Sequence, residues 1–400
     1  MAFGASPGYA LLAIPIVLAV ARASGAGSAL ALVISCGIAL GLYAAVLHAS
    51  GLDEAIYYRF HERFATWDPR LAHRAYVPNV TYHSREMHGD LQLFTHEDIA
   101  EPRDVAFHSD SAGFRNDHDY AGEPFVIIGD SFVVGLGTTQ PDILQGRLAA
   151  RGIRAYNLGQ TGGVIDYESY WRRFVAQHGP AARPLLFVFE GNDLPETDGA
   201  RERAPLWVAF DHGVRDVTAP LTRLATYRVT RSLVWRVLER GEIDGSQIQV
   251  FDLAGARFAF LNGETDRARA TALEDMVLTD AALERIAPDL AALFFVPTKY
   301  RVYQRWVTPG DQLPEAGWQH LAQLCERLGM ACFDLTPALV ARSEALLAEG
   351  RFTWWRDDTH WGGEGIDTAA ERVAQALRAS GQLHAREGLT PRSVRTIKGG

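Results

Sequence analysis

The chain has 400 residues, enough for one large α/β domain with appendages, and its 48% hydrophobic and 22% charged content is ordinary for a folded protein. A net charge of −9 and the lack of any Lys/Arg-rich stripe argue against a nucleic-acid partner, whose phosphates would require one. Three cysteines are too few for a disulfide framework or a metal centre. Cys36 reads as a buried thiol in an apolar run. Cys325 and Cys332 are spaced either to bridge in an oxidising compartment or to pack as small hydrophobes.

Residues 2–21 carry no charge, and a second uncharged run covers 29–47. Each is near the roughly 20 residues that cross a bilayer as a helix, so residues 1–50 are expected to form a transmembrane hairpin of two helices. A cleaved signal peptide fits less well, because the first run has no basic start. One anchor, or two buried helices, are the other readings. Gly37 and Gly41 would let two helices approach closely. Arg22, the basic residue between the runs, places the connecting loop in the cytoplasm and the large domain in the periplasm or exterior. Gly4 to Gly8 (GASPG) matches a G-x-S-x-G nucleophile pattern, but it precedes a span instead of following a strand.

Residues 51–120 read as a juxtamembrane and lead-in segment, with irregular structure or short strands over 76–107. PFVIIGDSF (124–132) is then a two-sided apolar run, which signals a buried strand meeting a loop. A short helix (142–151), a strand (153–159), a helix (167–177) and a strand (183–193) follow. Residues 195–275 interrupt the alternation as an insertion, with basic amphipathic character over 221–240. A strand (290–300), a helix (314–328), a strand (330–335) and a final helix (363–380) complete the pattern. Ile366, Ala369, Ala370, Val373 and Leu377 form one stripe on the last helix. Strands alternating with helices predict a three-layer α/β/α domain of about five parallel strands over 121–385. Residues 386–400 read as a flexible tail.

Ser131 follows the first of these strands, where α/β sheets place reactive groups. A serine becomes nucleophilic only beside a base that a third group orients. WWRDDTHWGGEG supplies His360 as that base, with Asp357 and Asp358 just ahead of it. Gly162 and Asn192 lie on loops after successive strands and could donate to an oxyanion. Each residue alone has a plainer reading: Asp130–Ser131 as a helix cap, Asn192–Asp193 as turn chemistry, His360 as an aromatic neighbour of Trp361.

Gly129-Asp130-Ser131, Asn157-x-Gly159-x-x-Gly162, Gly191-Asn192-Asp193 and Asp357-x-x-His360 resemble, in order, the four consensus blocks of SGNH (GDSL-type) hydrolases. That resemblance implies Ser131 as nucleophile, His360 as general base and Asp357 as its orienting acid. The oxyanion hole would be the Ser131 and Gly162 N–H groups and the Asn192 amide. Asp358-Thr359-His360-Trp361 also resembles the Asp-x-His-Trp motif of the alginate O-acetyltransferase-like branch, which makes Asp358 the alternative to Asp357. PTKYRVY (297–303) and DSAGFRN (110–116) are similar to that branch too. In some alginate acetylation proteins the Asp/His motif precedes the serine, whereas here it follows. The implied activity is that of a membrane-anchored serine esterase or O-acyltransferase, without cofactor or metal, acting on acetyl esters of cell-surface polysaccharide. A membrane-bound acyl donor is the implied partner. A lipase or lysophospholipase at the membrane surface, or a non-catalytic glycan-binding scaffold, are the competing readings.

Overall fold

The computed structural model describes residues 22, 26–50, 60–69, 73–92, 95, 98–194, 215–216, 219, 247–270 and 276–383. Four short strands come first, β1 (Ala65–Asp68), β2 (His73–Tyr76), β3 (Thr81–Met87) and β4 (Arg103–His108), paired antiparallel as β1–β2 and β3–β4. The main sheet is built from β5 (Phe125–Ile128), β6 (Ala155–Asn157) and β7 (Arg183–Phe189), and later in the chain β10 (Ala292–Val296) and β11 (Cys332–Asp334). Between them lies an antiparallel hairpin, β8 (Ile248–Leu253) and β9 (Ala256–Leu261).

The five-stranded sheet is parallel throughout, in the order β11-β10-β7-β5-β6. Its strands are apolar on both faces because both faces are covered. Phe125, Ile127, Leu185, Phe187 and Phe189 point into one core, while Val126, Ile128, Leu186 and Val188 point into the other. β5 has β6 on one side and β7 on the other, so the winding reverses there. The loops after β5 and β7 therefore open side by side at the carboxyl edge, where such sheets hold their ligands.

The helices follow in chain order: α1 (Ala26–Ser50), α2 (Ser131–Val134), α3 (Leu144–Ala149), α4 (Val164–His178), α5 (Asn262–Ala270), α6 (Val277–Ile286), α7 (Lys299–Val307), α8 (Ala316–Leu328), α9 (Thr336–Leu347) and α10 (Gly363–Ala379). The expected stripe on α10 is buried at every one of its five positions. Ile366, Val373 and Leu377 each contribute about 1.5–3 kcal/mol by that burial, which holds the loop that precedes α10 to the sheet. Cys325 and Cys332 are bridged, with Cα atoms 6.2 Å apart, which pins α8 to the edge strand β11.

Several expectations need correcting. Of the transmembrane hairpin, the first run lies outside the described residues. The second is helical as α1 and leaves Leu30, Val33, Ile34, Ile38, Leu42 and Val46 exposed. Among the described residues no helix is long and apolar enough to cross a membrane, so the hairpin is unsupported. Cys36, expected to be buried, is exposed on this helix.

The segment read as lead-in is integral to the domain. Phe64, Tyr76 and Phe107 form a core with Val134, the last residue of α2, and Leu136 in the turn after it. Part of the expected insertion is integral too. Phe258 of β9 packs 4.8 Å from the Tyr303 ring and 4.7 Å from the Phe352 ring. The amphipathic stretch 221–240 and the tail 386–400 lie outside the described residues.

Candidate active site

The turn after β5 admits one kind of residue at its first position. A Cβ on Gly129 would lie 2.5 Å from Val133 Cγ2 and 3.0 Å from the Phe187 carbonyl oxygen, so only glycine fits. Asp130, in extended conformation, then caps α2 by accepting the Phe132 N–H at 2.9 Å. Ser131 is the first residue of the helix and its hydroxyl donates to Asp130 Oδ2 at 3.5 Å. Gly135, in the left-handed region at φ 76°, closes the turn by donating to the Ser131 and Phe132 carbonyls. The cap is thus Asp130, and Ser131, the candidate nucleophile, is the first residue of the helix it caps.

Burial pushes the Asp130 carboxyl up to about 6, against the opposing pull of the Phe132 N–H, the His360 charge, the Asn192 amide and the Ser131 hydroxyl. Asp193 is raised well above the usual range by burial and by the neighbouring Asp130 charge. It accepts from the Tyr167 hydroxyl at 2.9 Å and the Phe189 N–H at 2.7 Å. An unfolded carboxyl ionises near 4, so between about 4 and about 6 the folded chain holds the extra proton. The resulting penalty is absent below about 4 and complete above about 6. Asp130→Asn, which can still cap, is expected to raise stability at pH 8 by about 2–3 kcal/mol and hardly at pH 4. Urea unfolding at the two pH values checks this, and an equal gain at both would refute it.

The histidine comes from a loop closed by a bridge between Trp354 and Trp361, just before α10. Asp358 Oδ1 accepts from both the His360 N–H at 3.1 Å and the His360 Nδ1 at 2.7 Å. The imidazole packs against Phe132, the residue after the serine, with ring centroids 5.1 Å apart. Asp358, Thr359 and His360 are all buried. Asp357, which the sequence favours as the orienting acid, faces the other way. Its carboxylate accepts the Gly89 N–H at 2.9 Å, the Glu101 N–H at 2.9 Å and Arg103 Nη1 at 2.8 Å. The partners decide between them: Asp358 bonds the His360 ring, Asp357 bonds backbone N–H groups of the 89–101 segment, and Arg103 donates to both.

Burial would raise the Asp358 carboxyl, but the His360 charge and hydrogen bond and the Arg103 charge outweigh it and hold it low. Asp90 fixes the residue between acid and base, accepting the Thr359 N–H at 2.9 Å and its hydroxyl at 3.0 Å. Lys299, at the start of α7, reaches underneath. Its ammonium donates to the carbonyls of Trp355 (2.7 Å), Arg356 (3.2 Å) and Asp358 (3.0 Å) and lies 4.1 Å from the Phe258 ring centroid. Burial lowers its pKa to about 7, against the pull of the Asp358, Asp357, Asp90 and Glu101 charges. Lys299→Met keeps most of the stem and strands three carbonyls. It is expected to cost about 3 kcal/mol or more in denaturant unfolding; a loss under about 1 kcal/mol would contradict this role.

The two remaining candidates lie on the loops after β6 and β7. The Gly162 carbonyl accepts the Tyr167 hydroxyl at 3.0 Å, and Asp166 Oδ2 accepts the Gly163 N–H at 3.1 Å, so the start of α4 holds this loop. Asn192 is exposed and hydrogen-bonds the Asp130 carboxylate. Its turn is anchored by a buried pair: Arg301 Nε donates to Glu190 at 2.7 and 2.9 Å, and Thr298 donates to the same carboxylate through N–H and hydroxyl at 3.0 Å. The structure thus gathers Ser131, His360 and Asn192 around Asp130, with Gly162 on the adjoining loop.

Asp90, Asp358 and His360 offer ligand atoms within 4.8 Å of one another. Asp358 is bonded to Arg103 and His360, and both Asp90 oxygens accept from Thr359. Sequence reasoning missed Arg103, Asp90 and Lys299. Only Lys299 carried a signal, inside the PTKYRVY stretch.

Comparison with known proteins covers part of the chain. Residues 260–398 match the family model of the SGNH hydrolase-like domain, acetyltransferase AlgX. That span holds the Asp-x-His loop and Lys299 and leaves Ser131 outside. No curated protein matches the chain. A crystal structure aligns with 16% identity and a TM-score of 0.29, over 64% of this chain and 97% of its own.

Proposed function

We propose that this chain, whose residues 260–398 are of the SGNH hydrolase-like, acetyltransferase AlgX type, is a serine esterase or O-acetyltransferase working through an acyl-Ser131 intermediate. The observation that carries the proposal is the 2.7 Å bond from Asp358 to His360 Nδ1, made beside the helix that presents Ser131. With Nδ1–H directed to the carboxylate, Nε2 is the basic nitrogen. His360 takes the Ser131 proton as the hydroxyl oxygen attacks the ester carbonyl, and Asp358 stabilises the imidazolium that forms. The tetrahedral oxyanion is met by the Ser131 and Gly162 N–H groups and the Asn192 amide. His360 then returns the proton to the leaving alcohol. Water or a sugar hydroxyl, deprotonated by His360, releases the acetyl group.

The substrate we favour is an acetyl ester of a carbohydrate, because the acid–base loop is of the AlgX type. An outward-facing location is supported by the Cys325–Cys332 bridge, since disulfides persist in oxidising compartments. Attachment to a membrane is supported by the exposed apolar side chains of α1. The test is release of p-nitrophenol from p-nitrophenyl acetate by the whole chain, with and without acetyl-accepting oligosaccharides. Turnover with acetylated oligosaccharide as product establishes a transferase, and turnover with acetate alone an esterase. No turnover on acetyl esters of phenol or of sugars would contradict the proposal.

A further inference from the structure

Arg103 sits in β4, outside every motif that supplies the mechanism, and is buried. Its guanidinium donates from Nη2 to Asp358 Oδ2 at 2.7 Å and from Nη1 to Asp357 Oδ1 at 2.8 Å. Nη1 also reaches the Glu101 carbonyl at 2.9 Å, and Nε reaches the Gly137 carbonyl at 2.8 Å. The plane lies over the Trp355 ring, 4.3 Å from its centroid. Gly137 belongs to the turn that follows the Ser131 helix and has a φ of 80°. A Cβ there would come within 3.0 Å of Asp358 Oδ2 and 3.2 Å of Arg103 Nη2, so the turn and the acid loop meet at the guanidinium.

We propose that Arg103 is a positioning residue for the catalytic pair: one rigid fork joins the carboxylate that orients His360 to the backbone that follows Ser131. A carboxylate held only by a histidine can rotate about its last bond. With Oδ2 fixed by Arg103, Oδ1 is left facing Nδ1. Only arginine offers several donors in one plane at fixed angles, and a lysine would supply the charge with a single point of contact. The same fork sets the separation of two loops contributed by different ends of the chain. An error of about 1 Å in such a separation is costly to the chemical step.

The inference rests on the serine-esterase reading, and the experiment separates the two. Turnover of p-nitrophenyl acetate that is lost in Ser131→Ala upholds the reading; a wild-type chain without turnover overturns the reading itself. Given turnover, Arg103→Gln and Asp358→Asn are compared singly and together. Arg103→Gln is expected to lower kcat about 10–100-fold with KM little changed. In the Asp358→Asn background the same change is expected to cost under about threefold, because Arg103 acts through that carboxylate. Arg103→Lys should recover part of the loss. Equal losses in both backgrounds, or a loss confined to KM, overturns the proposal while leaving the esterase reading intact. If Arg103→Gln is recovered unfolded, Arg103→Lys takes its place in the same cycle with the same two outcomes.

Discussion

Asp358→Asn is expected to lower kcat by roughly 10³–10⁴-fold while Asp357→Asn lowers it by under about tenfold. The two carboxylates are neighbours in sequence, equally acidic in type and both buried, so only their partners distinguish them. Asp358 bonds the His360 ring at 2.7 Å. An amide there would hold the wrong tautomer and would bring no charge to the imidazolium. Asp357 instead gathers two backbone N–H groups and one arm of Arg103, which is work of assembly. Its amide variant is expected to lose stability by about 1–3 kcal/mol, read from urea unfolding, with the surviving folded enzyme nearly as fast per molecule. Steady-state kinetics normalised to folded protein decides the matter. A larger kinetic loss at Asp357 would restore the assignment that the sequence favoured.

Ser131→Ala carries the largest effect. It is expected to reduce ester turnover by roughly 10⁴–10⁶-fold, since without the hydroxyl there is no acyl-enzyme and the remaining groups act only on water. The fold should be unaffected. The helix is capped by Asp130, whose bond to the Phe132 N–H does not involve the serine side chain. Asp130 loses one weak partner at 3.5 Å and keeps the Phe132 N–H and the Asn192 amide. Circular dichroism and thermal unfolding close to wild type, together with absent turnover, are therefore the expected pair of results. Turnover within about tenfold of wild type would remove Ser131 from the mechanism.

Much of the core was legible because the sheet is covered on both faces. Phe125 to Ile128, Leu185 to Phe189 and Ala292 to Val296 are apolar at every position, a pattern that few surroundings other than a central strand satisfy. The stripe on α10 was legible for the matching reason, with a period near 3.6. Gly129-Asp130-Ser131 could be placed because a strand end and a helix start meet there. What could not be read was the assignment within Asp357–Asp358. It depends on their partners: Asp357 accepts the Gly89 and Glu101 N–H groups, distant in the chain, and Asp358 holds the His360 ring.

Arg103 was illegible for a different reason. Its partner carboxylates are about 250 residues away along the chain, and a lone arginine in a polar segment carries no periodic signal. Lys299 carried a signal inside the PTKYRVY stretch, but its part in holding the carbonyls of Trp355, Arg356 and Asp358 shows only in the fold. The amino-terminal expectation rested on hydropathy alone, and the described residues do not support the hairpin. A run of apolar residues specifies a helix that avoids water, and α1 has that character, but it does not specify a pair of spans.

The most direct measurement is capture of the acyl-enzyme. The whole chain is mixed briefly with p-nitrophenyl acetate, quenched in acid, digested and analysed by mass spectrometry. The account predicts one acetyl group on the peptide containing Ser131. It also predicts no such adduct in Ser131→Ala. An acetyl group found on another residue at full turnover, with the Ser131 peptide unmodified, would contradict it.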